Sequence, residues 1–219
     1  MFLFINATGI FGEVFVRGSL LSGDATQVAQ NIISSERLYR LSIVSDVVML
    51  TGVLVLIWAL YVLLRPVNRD LALLAVLLRM VEIAVSVAAT VASLIAVRLL
   101  TSAEYLNLFE AGELHALSRL ARNAFGFGLD VGFIFVGLGS AVFAYLLLRS
   151  QYIPRMLARW GVFASVLFAT YHLVIIAFPG AVKPLMYVSF APMGIYEISI
   201  GLWLLMKGAK IPASTPSAA

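Results

Sequence analysis

The chain has 219 residues, 62% of them hydrophobic and 12% charged, and its 15 Lys and Arg outweigh 11 Asp and Glu for a net charge of +4. A soluble domain carries about 25% charged residues, so the polar surface needed to coat a water-facing globule is missing. The mean hydropathy of +1.03 comes in long apolar blocks, which excludes disorder, collagen-like sequence and a nucleic-acid module and leaves a helical integral membrane protein.

The first apolar block, residues 1–16, is short for a span and contains Glu13. It has neither the basic start nor the small-residue cleavage site of a signal peptide. The expectation is a first transmembrane helix cut short, as by loss of residues upstream of Met1. Asp24-Ala-Thr-Gln27 then places a capping residue three positions ahead of Gln, the signature of a helix start. Apolar segments follow at 41–64 and 71–98, joined by the short basic loop Arg65-Pro-Val-Asn-Arg-Asp70. Thr101-Ser-Ala-Glu104 repeats the capping pattern. Leu114, Leu117, Leu120 and Ala124 recur at helical spacing among Arg119 and Arg122. Two amphipathic interfacial helices on one membrane face are expected from these connections. Segments 124–148, 158–178 and 185–206 complete the pattern, with Arg149, Arg155 and Arg159 between the first two of them. Blocks that run apolar well past ten residues do not alternate as barrel strands do. The fold class is therefore all-α, a single bundle of about six transmembrane helices at roughly 20 residues each. It covers residues 1–208, with a disordered tail at 209–219.

Lys and Arg cluster at the ends of apolar segments, where they meet anionic headgroups of the lipid bilayer, so no nucleic-acid partner is expected. Their density is greatest in the short loops, which places both termini in the cytoplasm of a bacterial cell. No Cys is present, which removes disulfides, thiolate metal sites and cysteine nucleophiles. With His115 and His172 as the two histidines and no H-E-x-x-H, no metal site or cofactor is expected.

An ionisable group inside a span costs at least about 2.5–3.5 kcal/mol on insertion scales, so each needs a partner or a water-filled cavity. The candidates are Asp46, Arg79, Glu82, Asp130, His172 and Glu197, with Glu13 in the short first helix. Arg79, Glu82, Ser86, Thr90 and Ser93 recur every three or four residues and form one polar stripe facing the bundle interior. At about 1.5 Å per residue, Asp46 and Asp130 lie roughly 9–10 Å from the start of their segments and His172 roughly 9 Å before the end of its own. That spacing predicts an outer layer of Asp46, Asp130 and His172. Glu82 and Glu197 fall near the midplane and define an inner layer in which Arg79 pairs with Glu82 or Glu197. Each layer is either a structural polar core or a titrating site of the kind that proton-coupled carriers and hydrolases need. Gly128-xxx-Gly132 predicts close helix contact. Pro192, five residues before Glu197, predicts a kink or a break.

Gly9-Ile-Phe-Gly-Glu-Val-Phe-Val-Arg-Gly18, Ala59-Leu-Tyr-Val-Leu-Leu-Arg-Pro-Val-Asn-Arg69, Arg79-Met-Val-Glu82, Tyr152-Ile-Pro-Arg155 and Glu197-Ile-Ser-Ile-Gly-Leu-Trp-Leu-Leu-Met-Lys-Gly208 together resemble the bacterial multi-pass membrane family known as domain of unknown function 4386. Members of that family usually begin with a basic stretch and a fuller first helix, from which this chain departs. The resemblance implies six membrane helices and no established activity, with Arg79, Glu82 and Glu197 as a polar core of unknown purpose. Three functions follow as expectations: transport of a small solute or linked to protons, a membrane-embedded enzyme using Asp46, Asp130 and His172, or a non-catalytic subunit or sensor.

Overall fold

A computed structural model describes residues 1–178 and 186–209, and among them there are helices and no strands. The expected C-terminal tail, from residue 210 on, lies outside the described residues. The chain begins with α1 (Phe2–Gly9), runs without a break through a π-helical stretch (Ile10–Arg17) and ends that rod as α2 (Gly18–Leu20). Gly9, Ile10 and Gly18 all keep right-handed helical angles, so the first helix continues past the expected boundary near residue 16 and carries Arg17 inside. The amphipathic α3 (Ala25–Ser34) follows, with the Gln27 N–H donating to the Asp24 carboxylate at 2.8 Å.

Among the described residues five helices are long and apolar enough to cross a membrane: α4 (Glu36–Leu64), α5 (Arg69–Thr101), α7 (Ala111–Ser150), α8 (Arg155–Ala177) and α9 (Met186–Lys207). The α1–α2 rod packs against α4 and α9 as a sixth member of the bundle. The turn before α5 is set by Asn68, whose side chain accepts the Leu71 N–H at 2.9 Å.

The second interfacial helix differs from expectation. Ser102 makes no side-chain cap, and α6 (Ala103–Leu106) is a single turn. The capping box lies at Glu110 and Glu113 instead, where a negative side chain meets the free N–H groups of a helix start. From there α7 runs unbroken for 40 residues, about 60 Å at 1.5 Å per residue and twice the ~30 Å hydrocarbon thickness. Its amphipathic first part is therefore the protruding end of the fourth span, because nothing between Ala111 and Ser150 interrupts the helix.

Small residues set the packing. A Cβ built on Gly128 would lie 2.8 Å from the Ala89 Cβ, and one on Gly137 would lie 2.7 Å from the Ala169 Cβ. These contacts bring the backbone of α7 against α5 on one side and α8 on the other, the close approach that small residues permit in lipid. The main core is shared by α4, α5, α7, α8 and α9, from Val53 and Ile83 to Phe143, Phe168 and Ile200. A second cluster joins Val16, Leu20, Val28, Ile32, Tyr39 and Val97, so α3 closes one end of the bundle. Large apolar side chains such as Trp58, Phe127, Phe163 and Leu205 point outward. In water these would be a liability, and in a bilayer they are the lipid-facing surface. α9 passes through Pro192 without a break.

Candidate functional site

The ionisable groups within the spans sort into three clusters. In the first, Arg79 and Glu82 on adjacent turns of α5 form a buried ion pair, Nη2 to Oε2 at 3.6 Å. That separation is attraction without a hydrogen bond, and Arg79 Nη1 and Glu82 Oε2 have no hydrogen-bond partner among the described residues. Arg79 fits because the facing position on α7 is Gly139, where a Cβ would stand 2.7 Å from the arginine Cγ. Glu197 on α9 faces the same space, and its Oε2 accepts the Asn6 side-chain N–H of α1 at 3.1 Å. A cavity of about 30 Å³ lies between them, lined by Phe2, Leu56, Arg79, Ser140, Tyr196 and Glu197, with room for one or two waters. One guanidinium thus has two carboxylates near it, Glu82 paired with it on α5 and Glu197 across the cavity.

The second cluster repeats that ratio. Arg17, 3% exposed, donates to both oxygens of Asp46 on α4, Nη1 to Oδ1 at 3.1 Å, and pairs also with Glu13 one turn earlier. Its guanidinium lies over the Phe125 ring of α7, 4.4 Å from the centroid, a favourable position for a cation. Gly12 faces the pair, its Cβ position 3.4 Å from Asp46 Oδ1. The pairing is made in a π-helical stretch, a geometry found mostly as short bulges at functional sites.

The third is a dyad. His172 Nδ1 and Asp130 Oδ1 are 3.1 Å apart, joining α8 to α7. Phe133, Phe168, Tyr171 and Phe190 surround the imidazole at centroid distances of 4.9, 4.7, 5.0 and 5.6 Å. The His172 Nε2 has no hydrogen-bond partner among the described residues.

Of the six candidates, Arg79 and Glu197 line one cavity with Glu82 paired to Arg79 beside it, and Asp130 meets His172. Asp46 stands apart, and no hydrogen bond or ion pair among the described residues joins it to the dyad. The single outer layer is thus two sites. Depth along a helix places residues on a level, but only the rotation of each helix decides which of them meet. Hydropathy alone puts Arg17 in the connection after the first span rather than in the core. The signal for it is its i, i+4 spacing from Glu13, a pairing that matters only if the helix continues. Among the described residues no group of three or more His, Asp or Glu side chains is placed to hold a metal ion.

The family described as Domain of unknown function (DUF4386) matches residues 1–208. An uncharacterized protein of Archaeoglobus fulgidus is 31% identical over 163 residues, which is 72% of this chain and 79% of the archaeal protein. No solved structure matches.

Proposed function

Because this chain belongs to the family described as Domain of unknown function (DUF4386), whose description assigns no activity, we propose from its own polar core that this multi-pass integral membrane protein binds and passes a proton at Glu82 and Glu197. The observation that carries the reading is the ratio at the inner cluster: Arg79 and Glu197 line a cavity of about 30 Å³, and Glu82, paired with Arg79, is a second carboxylate beside the one guanidinium. Burying both carboxylates ionised leaves a net negative charge in a medium that penalises it heavily. One shared proton removes that charge, and a neighbouring water offers the proton a route. An organic solute needs a site of about 300 Å³ or more, so this space suits a proton and its water far better. The enzyme reading is weaker, because it needs Asp46 beside Asp130 and His172. The density of Arg in the short loops supports both termini facing the cytoplasm, in a bacterial cytoplasmic membrane.

Infrared difference spectroscopy across a pH step tests this without knowledge of any cargo. A protonated carboxylic acid has a C=O stretch separate from the amide bands. The wild type is expected to show this band at neutral pH and to lose or shift it in Glu82→Gln or Glu197→Gln. A spectrum with no such band, or one indifferent to both substitutions, overturns the reading.

A further inference from the structure

The protruding first part of α7 faces the start of α3, and between them lies an open groove of about 360 Å³. His115, Arg119 and Asn123 line it from α7 at successive i, i+4 positions, with Thr26 opposite on α3. Their direction is fixed by the other side of the helix. Leu114 and Ser118 are buried against the bundle, and the Ser118 hydroxyl donates to the Ala96 carbonyl of α5 at 3.0 Å. The carboxylates nearest in sequence are already engaged at helix starts, Asp24 by the Gln27 N–H and Glu113 by the Glu110 N–H. The groove therefore presents a guanidinium, an imidazole, an amide and a hydroxyl with no free carboxylate lining it. Leu120 in the lining is 65% exposed, and Phe127, beyond the groove and two turns nearer the bundle's middle on the same stripe, is 67% exposed.

We propose that this groove is a binding site for a membrane phospholipid, with the phosphate on Arg119, His115 and Asn123 and an acyl chain lying along Leu120 and Phe127. A guanidinium with neutral donors beside it matches a phosphate oxygen set. An apolar stripe leading from it toward the lipid-facing surface fits the acyl tail of such a ligand and has no use for a free anion. The site is independent of the proton at Glu82 and Glu197.

Native mass spectrometry of the full-length protein, released from an uncharged detergent with phosphatidylglycerol, diacylglycerol or inorganic phosphate added, tests the proposal. One equivalent of phosphatidylglycerol is expected to stay bound, while diacylglycerol and inorganic phosphate leave the protein bare. Arg119→Gln removes one charge-assisted contact and should weaken binding about tenfold. Ala116→Phe fills the groove while keeping every charge and should weaken binding by at least as much. Arg37→Gln, an exposed charge at the start of α4 outside the groove, should bind as the wild type does. Equal retention of diacylglycerol, or equal loss in Arg37→Gln, would show general adhesion and overturn the site. Retention of inorganic phosphate alone would make it an anion site and overturn the lipid. Unchanged phosphatidylglycerol binding in both groove variants would overturn it as well.

Discussion

Arg17 and Asp46 offer an asymmetric test, because a carboxylate can shed its charge inside the membrane and a guanidinium cannot. In Asp46→Asn, the volume is kept but Arg17, 3% exposed, stays cationic with only the half-exposed Glu13 and the Phe125 ring beside it. Removing one partner of a buried pair costs about 3–5 kcal/mol, and the remaining contacts place this variant near the lower end. In Arg17→Met, Asp46 and Glu13 remain, and the fold can take up a proton to neutralise Asp46. The folded variant then holds one proton more than the unfolded chain. Its stability accordingly falls as pH rises and recovers as pH falls, by about 1.4 kcal/mol per unit relative to wild type, down to the ordinary carboxylate range near pH 4. The Asp46→Asn deficit has no such relief. Equilibrium unfolding by a denaturing detergent at pH 5, 6 and 7 would measure both deficits. A double variant should recover at least ~2 kcal/mol of the summed losses. Strict additivity, or an Arg17→Met deficit that is flat with pH, would refute the assignment of Arg17 and Asp46 as one buried, charge-coupled unit.

Other consequences follow from contacts elsewhere in the bundle. Gly139→Val puts atoms where the Arg79 stem now lies, since a Cβ at that position would stand 2.7 Å from the arginine Cγ; a loss of about 1–3 kcal/mol is expected, together with loss of the infrared carboxylic-acid band. Gly161→Leu on α8 drives its new side chain into the Tyr196 ring of α9, which already fills the place a Cβ would take. It should lower the thermal midpoint sharply, and Tyr196→Ala should recover part of that loss by opening the same space. The Tyr39 and Ser93 hydroxyls are 2.9 Å apart and buried. Ser93→Val should cost about 1–3 kcal/mol by stranding the phenol, whereas Tyr39→Phe with Ser93→Ala should lie close to wild type in the same unfolding assay.

Much of the fold is legible in the residues because a bilayer leaves a chain few options. Apolar blocks of sufficient length must be helices, since lipid offers no partner to a free backbone N–H or C=O. The spans at 41–64 and 71–98 differ from α4 and α5 mainly at their ends, and Asp24 caps α3 as its spacing predicts. The failures sit where a local signal is ambiguous. Thr101 and Glu104 carry a capping pattern, but the helix that matters starts at Glu110, and a capping box of two glutamates falls outside the Ser/Thr/Asp/Asn rule. Glu13 and Arg17 mark a weak first helix by hydropathy, yet their charge is what ties that helix to Asp46.

The polar stripe on α5 is visible in the residues themselves, because helical periodicity alone places Arg79, Glu82, Ser86, Thr90 and Ser93 on one face. Hydropathy likewise decides on its own that this chain lives in a membrane and that its charged side chains must find company there. Which partners they find is decided only by the packing of helices far apart in sequence. Asn6 reaches Glu197, Arg17 reaches Asp46, and Asp130 reaches His172, while Gly128, Gly137 and Gly139 let α7 lie close against α5 and α8. A side chain's depth is written along one helix, but its neighbours are a property of the whole bundle.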